Sequence, residues 1–143
     1  MNFFSDTYFP QLDNFKHNDI FQNIKEVWDP LKDLNKFILR ILAEDNSGGP
    51  IESISGLRID TNRLIKSIVV ERWIKLKAPI TSQALNIRIE GGTVLEPTAI
   101  IKGPAIIGEN NEIRQGSYLR GNVLVGNNCV IGHCTEVKNS ILM

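Results

Sequence analysis

Histidine and cysteine are scarce in this chain, with two of each among its 143 residues. A zinc site built on three histidines therefore has too few ligands. Cys129 and Cys134, which flank His133, do not complete a ligand set either, so no metal is expected. No apolar run approaches the length of a membrane span. The first residues, MNFFSDTYFP, are aromatic and acidic rather than basic and then apolar, so no signal peptide is read and a cytoplasmic, membrane-free protein is expected. Charge of either sign is not in excess: 16 basic and 16 acidic residues give a formal net charge of zero. No global field recruits nucleic acid or a membrane surface, and any anion site must be local. What remains is a chain with 42% hydrophobic and 22% charged residues, suited to one compact domain or a small module.

What the sequence does have is a repeat. Ile89, Leu95, Ile101, Ile107, Ile113, Leu119, Val125, Ile131, Val137 and Met143 place an aliphatic residue at every sixth position. Six matches neither the helical spacing of three and four nor the strand spacing of two, so the period belongs to a supersecondary unit, a short strand plus a corner. Each hexad also carries a small residue, including Thr93, Ala99, Ala105, Ser117, Val123, Cys129 and Thr135, with Asn111 and Ile141 the exceptions. Its corners are rich in Gly and Asn, as at Gly91-Gly92, Gly121-Asn122 and Asn127-Asn128, residues that reach left-handed backbone at low cost.

Three such strands and corners close one coil, so residues eighteen apart should stack. The expected interior columns are Ile89/Ile107/Val125/Met143, Leu95/Ile113/Ile131 and Ile101/Leu119/Val137. The fold class is thus mainly β: a parallel β-helix of hexapeptide repeats behind a short helical N-terminal segment.

Upstream, Phe3, Phe4, Tyr8, Phe9 and Phe15 are available for packing. Apolar residues from Ile20 to Leu42 then recur at helical spacing, interrupted by Pro30. The pattern predicts a short helix ending near Trp28 and a second from Pro30 to about Ala43, with Asp29 as its N-cap and an apolar packing face. Asn46-Ser47-Gly48-Gly49-Pro50 reads as a linker, and Ile51 to Gln83 as extended structure that covers the first coil. The expected organisation is a helical segment over 1–46, an extended lead-in and cap over 47–88, and about three β-helix coils over 89–143. The last coil, opened by Met143, is expected to be incomplete.

Stacking by eighteen also aligns Lys102, Arg120 and Lys138, each just after an interior aliphatic residue. Neighbours in that column are about 4.8 Å apart. Two like charges at that distance repel by roughly 3 kcal/mol at an effective dielectric near 20, and less where water and salt screen them. A ladder of three cations is tolerated best with an anion against it, and phosphate is the obvious candidate. The alternative is a solvated face neutralised by Glu112 and Glu136.

The stretch from GGTVLEPTAIIKG through SYLRGN to TEVKNSIL resembles the acetyltransferase domain of bifunctional N-acetylglucosamine-1-phosphate uridyltransferase/glucosamine-1-phosphate acetyltransferase and related sugar-phosphate nucleotidyltransferase-type proteins. The resemblance implies a left-handed β-helix, a homotrimer, acetyl-CoA as acyl donor, and an amino-sugar phosphate or nucleotide sugar as ligand. In that family an Arg in a YLRG-like segment and a Lys in an EVK segment one coil later hold the sugar phosphate, which implies that role for Arg120 and Lys138. The preceding VWDPLKDLNKFI resembles the helical lead-in of short hexapeptide proteins of this kind. Two parts of the family pattern are missing. No glycine-rich nucleotide-binding half precedes the helix, so uridyl transfer is not expected. The family's base is a His in a segment after EVK, followed by a Tyr; His133 precedes EVK and His17 lies in the lead-in, so no catalytic residue is carried over. A non-catalytic trimerising or regulatory module remains the alternative.

Overall fold

The computed structural model describes residues 7–62 and 66–143. Phe3 and Phe4 lie outside the described residues. The described residues open with an arm, residues 7–28, whose regular structure includes single 3-10 turns at Leu12–Asn14 and Asn18–Phe21. One long helix follows, α1 (Asp29–Glu44). Five strands come next: β1 (Gly49–Pro50), β2 (Leu57–Asp60), β3 (Ser67–Val70), β4 (Ile74–Lys75) and β5 (Ile80–Ser82).

The rest is a β-solenoid of about three turns. Its first coil is β6 (Ile87–Ile89), β7 (Val94–Leu95) and β8 (Ile100–Lys102), and its second is β9 (Ala105–Ile107), β10 (Glu112–Ile113) and β11 (Tyr118–Leu119). The third is β12 (Val123–Val125), β13 (Val130–Ile131) and β14 (Glu136–Val137), after which β15 (Ser140–Leu142) begins another turn. Strands three apart in sequence stack in parallel, giving three faces: sheet A (β1-β5-β6-β9-β12-β15), sheet B (β14-β11-β8-β3-β2) and sheet C (β13-β10-β7-β4).

Pairing follows the period of eighteen. Ile89 pairs with Ile107 and Ile107 with Val125, Leu95 with Ile113 and Ile113 with Ile131, Ile101 with Leu119 and Leu119 with Val137. These side chains fill the interior together with Ile87 and Ala99 from the first coil and Ile68 from the strands before it. Burying each large aliphatic side chain stabilises the fold by about 1.5–3 kcal/mol. The expected column ends differently, because Val125 pairs with Leu142 and Met143 is 44% exposed. The corner from β14 to β15 is one residue shorter than that from β11 to β12: Lys138-Asn139 takes the place of Arg120-Gly121-Asn122. The shorter turn is held by Asn139 N–H donating to the Gly121 carbonyl at 3.2 Å and Ser140 N–H to Asn122 at 3.0 Å.

Corners turn where the second residue takes a left-handed conformation. Gly92, Asn110 and Asn128 do so at one corner of successive coils, and Thr98, Gly116 and Cys134 at another. At Gly92 a Cβ would also collide with the Asn110 side chain one coil on. Thr98, β-branched and therefore costly in this region, is tied down by its Oγ1, which accepts the Gly116 N–H at 2.9 Å.

The first coil is covered by a coil running the other way. β3, β4 and β5 lie antiparallel on β8, β7 and β6, and the chain reverses between Ser82 and Ile87. This satisfies the backbone groups of the solenoid's leading edge. Among the described residues, β13, β14 and β15 have no strand on their far side.

The arm and α1 pack on the outside of sheet A. Outward-facing Ile106 and Leu124, with Ile141 alongside, meet Phe15, Ile20, Phe21, Leu34, Phe37 and Ile38. Leu34, Phe37, Ile38 and Leu42 are the buried stripe of α1, at the spacing of an amphipathic helix. Two expectations are corrected here. The helix read up to Trp28 is only the 3-10 turn Asn18–Phe21, because Asn23 takes a positive φ of 59° and the chain then follows the sheet surface. Asp29 is the first helical residue rather than the cap. Its carboxylate faces backward, accepting the N–H groups of Lys25 and Glu26 at 2.9 Å each and the Lys32 ammonium at 2.6 Å. The Lys32 hydrogen bond, followed by the two backbone donors, holds the Asp29 carboxyl down at about 2. Among the described residues no helix is long and apolar enough to cross a membrane.

Candidate functional site

Sheet B carries the three cations singled out from the sequence. Because Ile101, Leu119 and Val137 are paired in register, Lys102, Arg120 and Lys138 follow at equivalent places on successive coils, where each strand leaves the sheet. Arg120 remains in the ladder, its N–H donating to the Val137 carbonyl at 2.8 Å. Lys102 is half-buried opposite Ser67 of the antiparallel cap, whereas Arg120 and Lys138 are exposed. One end of the column is thus buttressed by the cap and the other is open to solvent.

A carboxylate belongs to the same surface. Tyr118 pairs with Glu136 across β11 and β14, and the Glu136 carboxylate accepts a hydrogen bond from Arg120 Nη1 at 2.7 Å. The guanidinium also lies over the Tyr118 ring, 5.9 Å from its centroid. The Glu136 hydrogen bond, more than Tyr118, raises the Arg120 pKa above its ordinary value. Both groups are well exposed, so the ion pair is weak and exchangeable. Glu112, the other carboxylate expected nearby, is instead on sheet C and bonded to Arg114 at 3.0 Å. Among the described residues, Arg120–Glu136 is the ion pair recorded for this column, so one of its cations is already oriented by an acceptor.

The two histidines sit elsewhere. His133 is exposed at the corner that leads into β14, the opposite end of that strand from Lys138. His17 is buried beneath the arm against sheet A. Cys134 occupies a corner with positive φ and is exposed, while Cys129 is half-buried, and burial raises its thiol pKa. Among the described residues, no group of three His, Cys, Asp or Glu is placed to hold a metal ion.

A second polar cluster was not read from the sequence. Arg88 and Glu90, only 5% and 7% exposed, form an ion pair at 2.7 Å under the linker that follows α1. Arg88 also donates to the Ser47 carbonyl and lies 3.5 Å from Asp45, and Lys16 reaches Glu90 at 3.8 Å. The Ser47 hydroxyl and N–H, more than Arg88, pull the Asp45 carboxyl below its usual range. One signal was available. Arg88 lies eighteen residues before Ile106 and thirty-six before Leu124, a cation in an outward column that is otherwise apolar. No protein family, curated protein or solved structure gives a match to this chain.

Proposed function

We propose that this chain is a sugar-phosphate-binding solenoid of the left-handed hexapeptide acyltransferase class, acting as a homotrimer on an amino-sugar phosphate with acetyl-CoA as acyl donor. The observation that carries the reading is the in-register column Lys102, Arg120 and Lys138 on sheet B, joined to the resemblance of the SYLRGN and TEVKNS segments. In this reading the phosphate sits against the exposed end of the column. Arg120 exchanges its Glu136 acceptor for phosphate oxygens and Lys138 adds a point charge, fixing the sugar so that its amine faces the thioester. A general base would take the amine proton as the nitrogen attacks the acyl carbon; the C–S bond of the thioester would then break, and coenzyme A would leave as the thiol, taking the proton back from the base.

Calorimetric titration with glucosamine 1-phosphate tests the binding half of the proposal. Replacing Arg120 or Lys138 by Ala should weaken binding about tenfold or more, each lost charge-assisted hydrogen bond being worth about 1.5–3 kcal/mol. The unfolding midpoint should stay near that of the parent, since both side chains are exposed. Binding unchanged in both variants would remove the assignment.

A second reading, a non-catalytic trimerising or regulatory module, is favoured by the positions of the described histidines. Neither shares the corner where the cations lie. Acetyl-CoA turnover with glucosamine 1-phosphate by the purified protein would exclude that reading.

A further inference from the structure

The arm covers an apolar stripe, and a histidine lies under it. His17 is 8% exposed, with its ring edge-to-face against Phe15 at 5.9 Å and Phe37 at 6.1 Å. It lines a cavity of about 30 Å³ between the arm and the corners of sheet A, together with Lys16, Glu90, Glu109 and Asn127. Phe15 and Phe37 belong to the cluster that packs the arm and α1 onto Ile106, Leu124 and Ile141. His17 thus stands at the seam between arm, helix and solenoid.

The charged groups facing that seam come from all three elements. The arm supplies Lys16 and Asp19, α1 supplies Arg40, and the solenoid supplies Glu90 and Glu109. Most of the carboxylates are already engaged. Glu90 is paired with Arg88 at 2.7 Å and Lys16 at 3.8 Å, and Asp19 with Arg40 at 3.3 Å, while Glu109 is exposed to water. An imidazolium at His17 would therefore be a desolvated cation beside Lys16, without a carboxylate hydrogen-bonded to it among the described residues.

We propose that His17 is a proton-operated latch: neutral, it holds the arm over Ile106, Leu124 and Ile141, and protonated, it releases the arm and uncovers that apolar stripe. Burial is the chief force lowering its pKa from 6.5, Lys16 adds to it, and Asp19 and Glu90 oppose it. A base whose pKa is depressed in the closed state favours the open state as pH falls. The effect is absent above the ordinary histidine value, grows as pH drops below it, and levels off once the closed form is also protonated.

Amide hydrogen exchange on the full chain, corrected for intrinsic rates, reads the latch directly. Between about pH 7.5 and about pH 5, protection of the arm amides from Phe15 to Ile24 should fall at least about threefold relative to the interior strands. His17→Phe, which fills the same aromatic site without a titrating group, should abolish that relative fall. Constant relative protection in the parent chain, or an equal fall in the variant, overturns the proposal. If His17→Phe does not fold, an imidazole NMR titration of the parent decides. A His17 midpoint below about 6.5, with arm resonances moving in step, supports the latch, and a midpoint at or above that value overturns it.

Discussion

Val125 pairs with Leu142, seventeen residues on, where the two strands before it in the same sheet are spaced by eighteen. The one-residue deficit at the Lys138-Asn139 corner turns Leu142 toward the interior cluster and leaves Met143 in solvent. Truncating the two side chains separates this register from the uniform one. Leu142→Ala should cost about 1–2 kcal/mol in urea unfolding, less than a fully buried leucine because Leu142 is only partly covered. Met143→Ala should stay within about 0.5 kcal/mol. The opposite ranking would mean that the eighteen-residue register persists to the end.

Asn111 is one of the two residues that break the rule of small side chains, and the structure gives it work inside the coil. Its Nδ2 donates to the Gly108 and Gly126 carbonyls at 3.0 and 2.7 Å, and its Oδ1 accepts the Cys129 N–H at 2.6 Å. The side chain thus closes backbone groups of two successive coils from within. Asn111→Ala removes all three bonds in a site that is 1% exposed, and about 1–3 kcal/mol should be lost. Exchange at the Cys129 amide should accelerate more than at Ile131, whose strand pairing does not depend on Asn111. Equal acceleration at both would show a general loosening rather than a lost internal bridge.

The solenoid was legible because its interior is selective. Inward positions such as Leu95, Ile113 and Ile131 admit only aliphatic residues, and corners need residues such as Gly92, Asn110 and Asn128, so the period writes itself into composition. The register slip left no such trace, since Leu142 and Met143 are both apolar and either could fill the column. Helix α1 was readable from spacing and Pro30, but its landing place was not. That required noticing that Ile106 and Leu124, eighteen residues apart, form an apolar outward column, whereas the matching columns of the other two faces include Glu112 and Glu136. The Arg88 cluster joins residues about forty apart through a linker, and no local pattern encodes such a contact. The cation column was readable because stacking by eighteen is arithmetic. The engagement of Arg120 by Glu136 depends on rotamers, which no spacing in the sequence encodes.

That engagement has a consequence for anion affinity. Glu136 competes for the guanidinium that the phosphate is proposed to take, so neutralising it should free Arg120. Glu136→Gln should bind inorganic phosphate several-fold more tightly at low salt, a gain of roughly 1 kcal/mol, with the advantage shrinking as salt screens the column. The measurement is a phosphate titration at two ionic strengths for parent and variant. Weaker phosphate binding in the variant would place the anion elsewhere than on Arg120.

The buried pair Arg88–Glu90 makes the sharpest thermodynamic prediction. Desolvating two charges costs several kcal/mol each, and only their mutual contact and added hydrogen bonds offset it. Removing one partner strands the other. Arg88→Met leaves the Glu90 carboxylate, among the described residues, with Lys16 at 3.8 Å and takes the donor from the Ser47 carbonyl, so about 3–5 kcal/mol should be lost. Glu90→Leu strands Arg88 with Asp45 at 3.5 Å, a partner nearly half exposed, and should cost a comparable amount. The double variant removes both charges and continues the apolar column of Ile106 and Leu124 one coil further toward the cap. Its loss should therefore be smaller than that of either single variant, though not zero, because the Ser47 carbonyl still lacks its donor. Urea unfolding of the four proteins gives the coupling energy. Losses that simply add would mean that Arg88 and Glu90 are stabilised independently and that the pair is not what fastens the linker to the first coil.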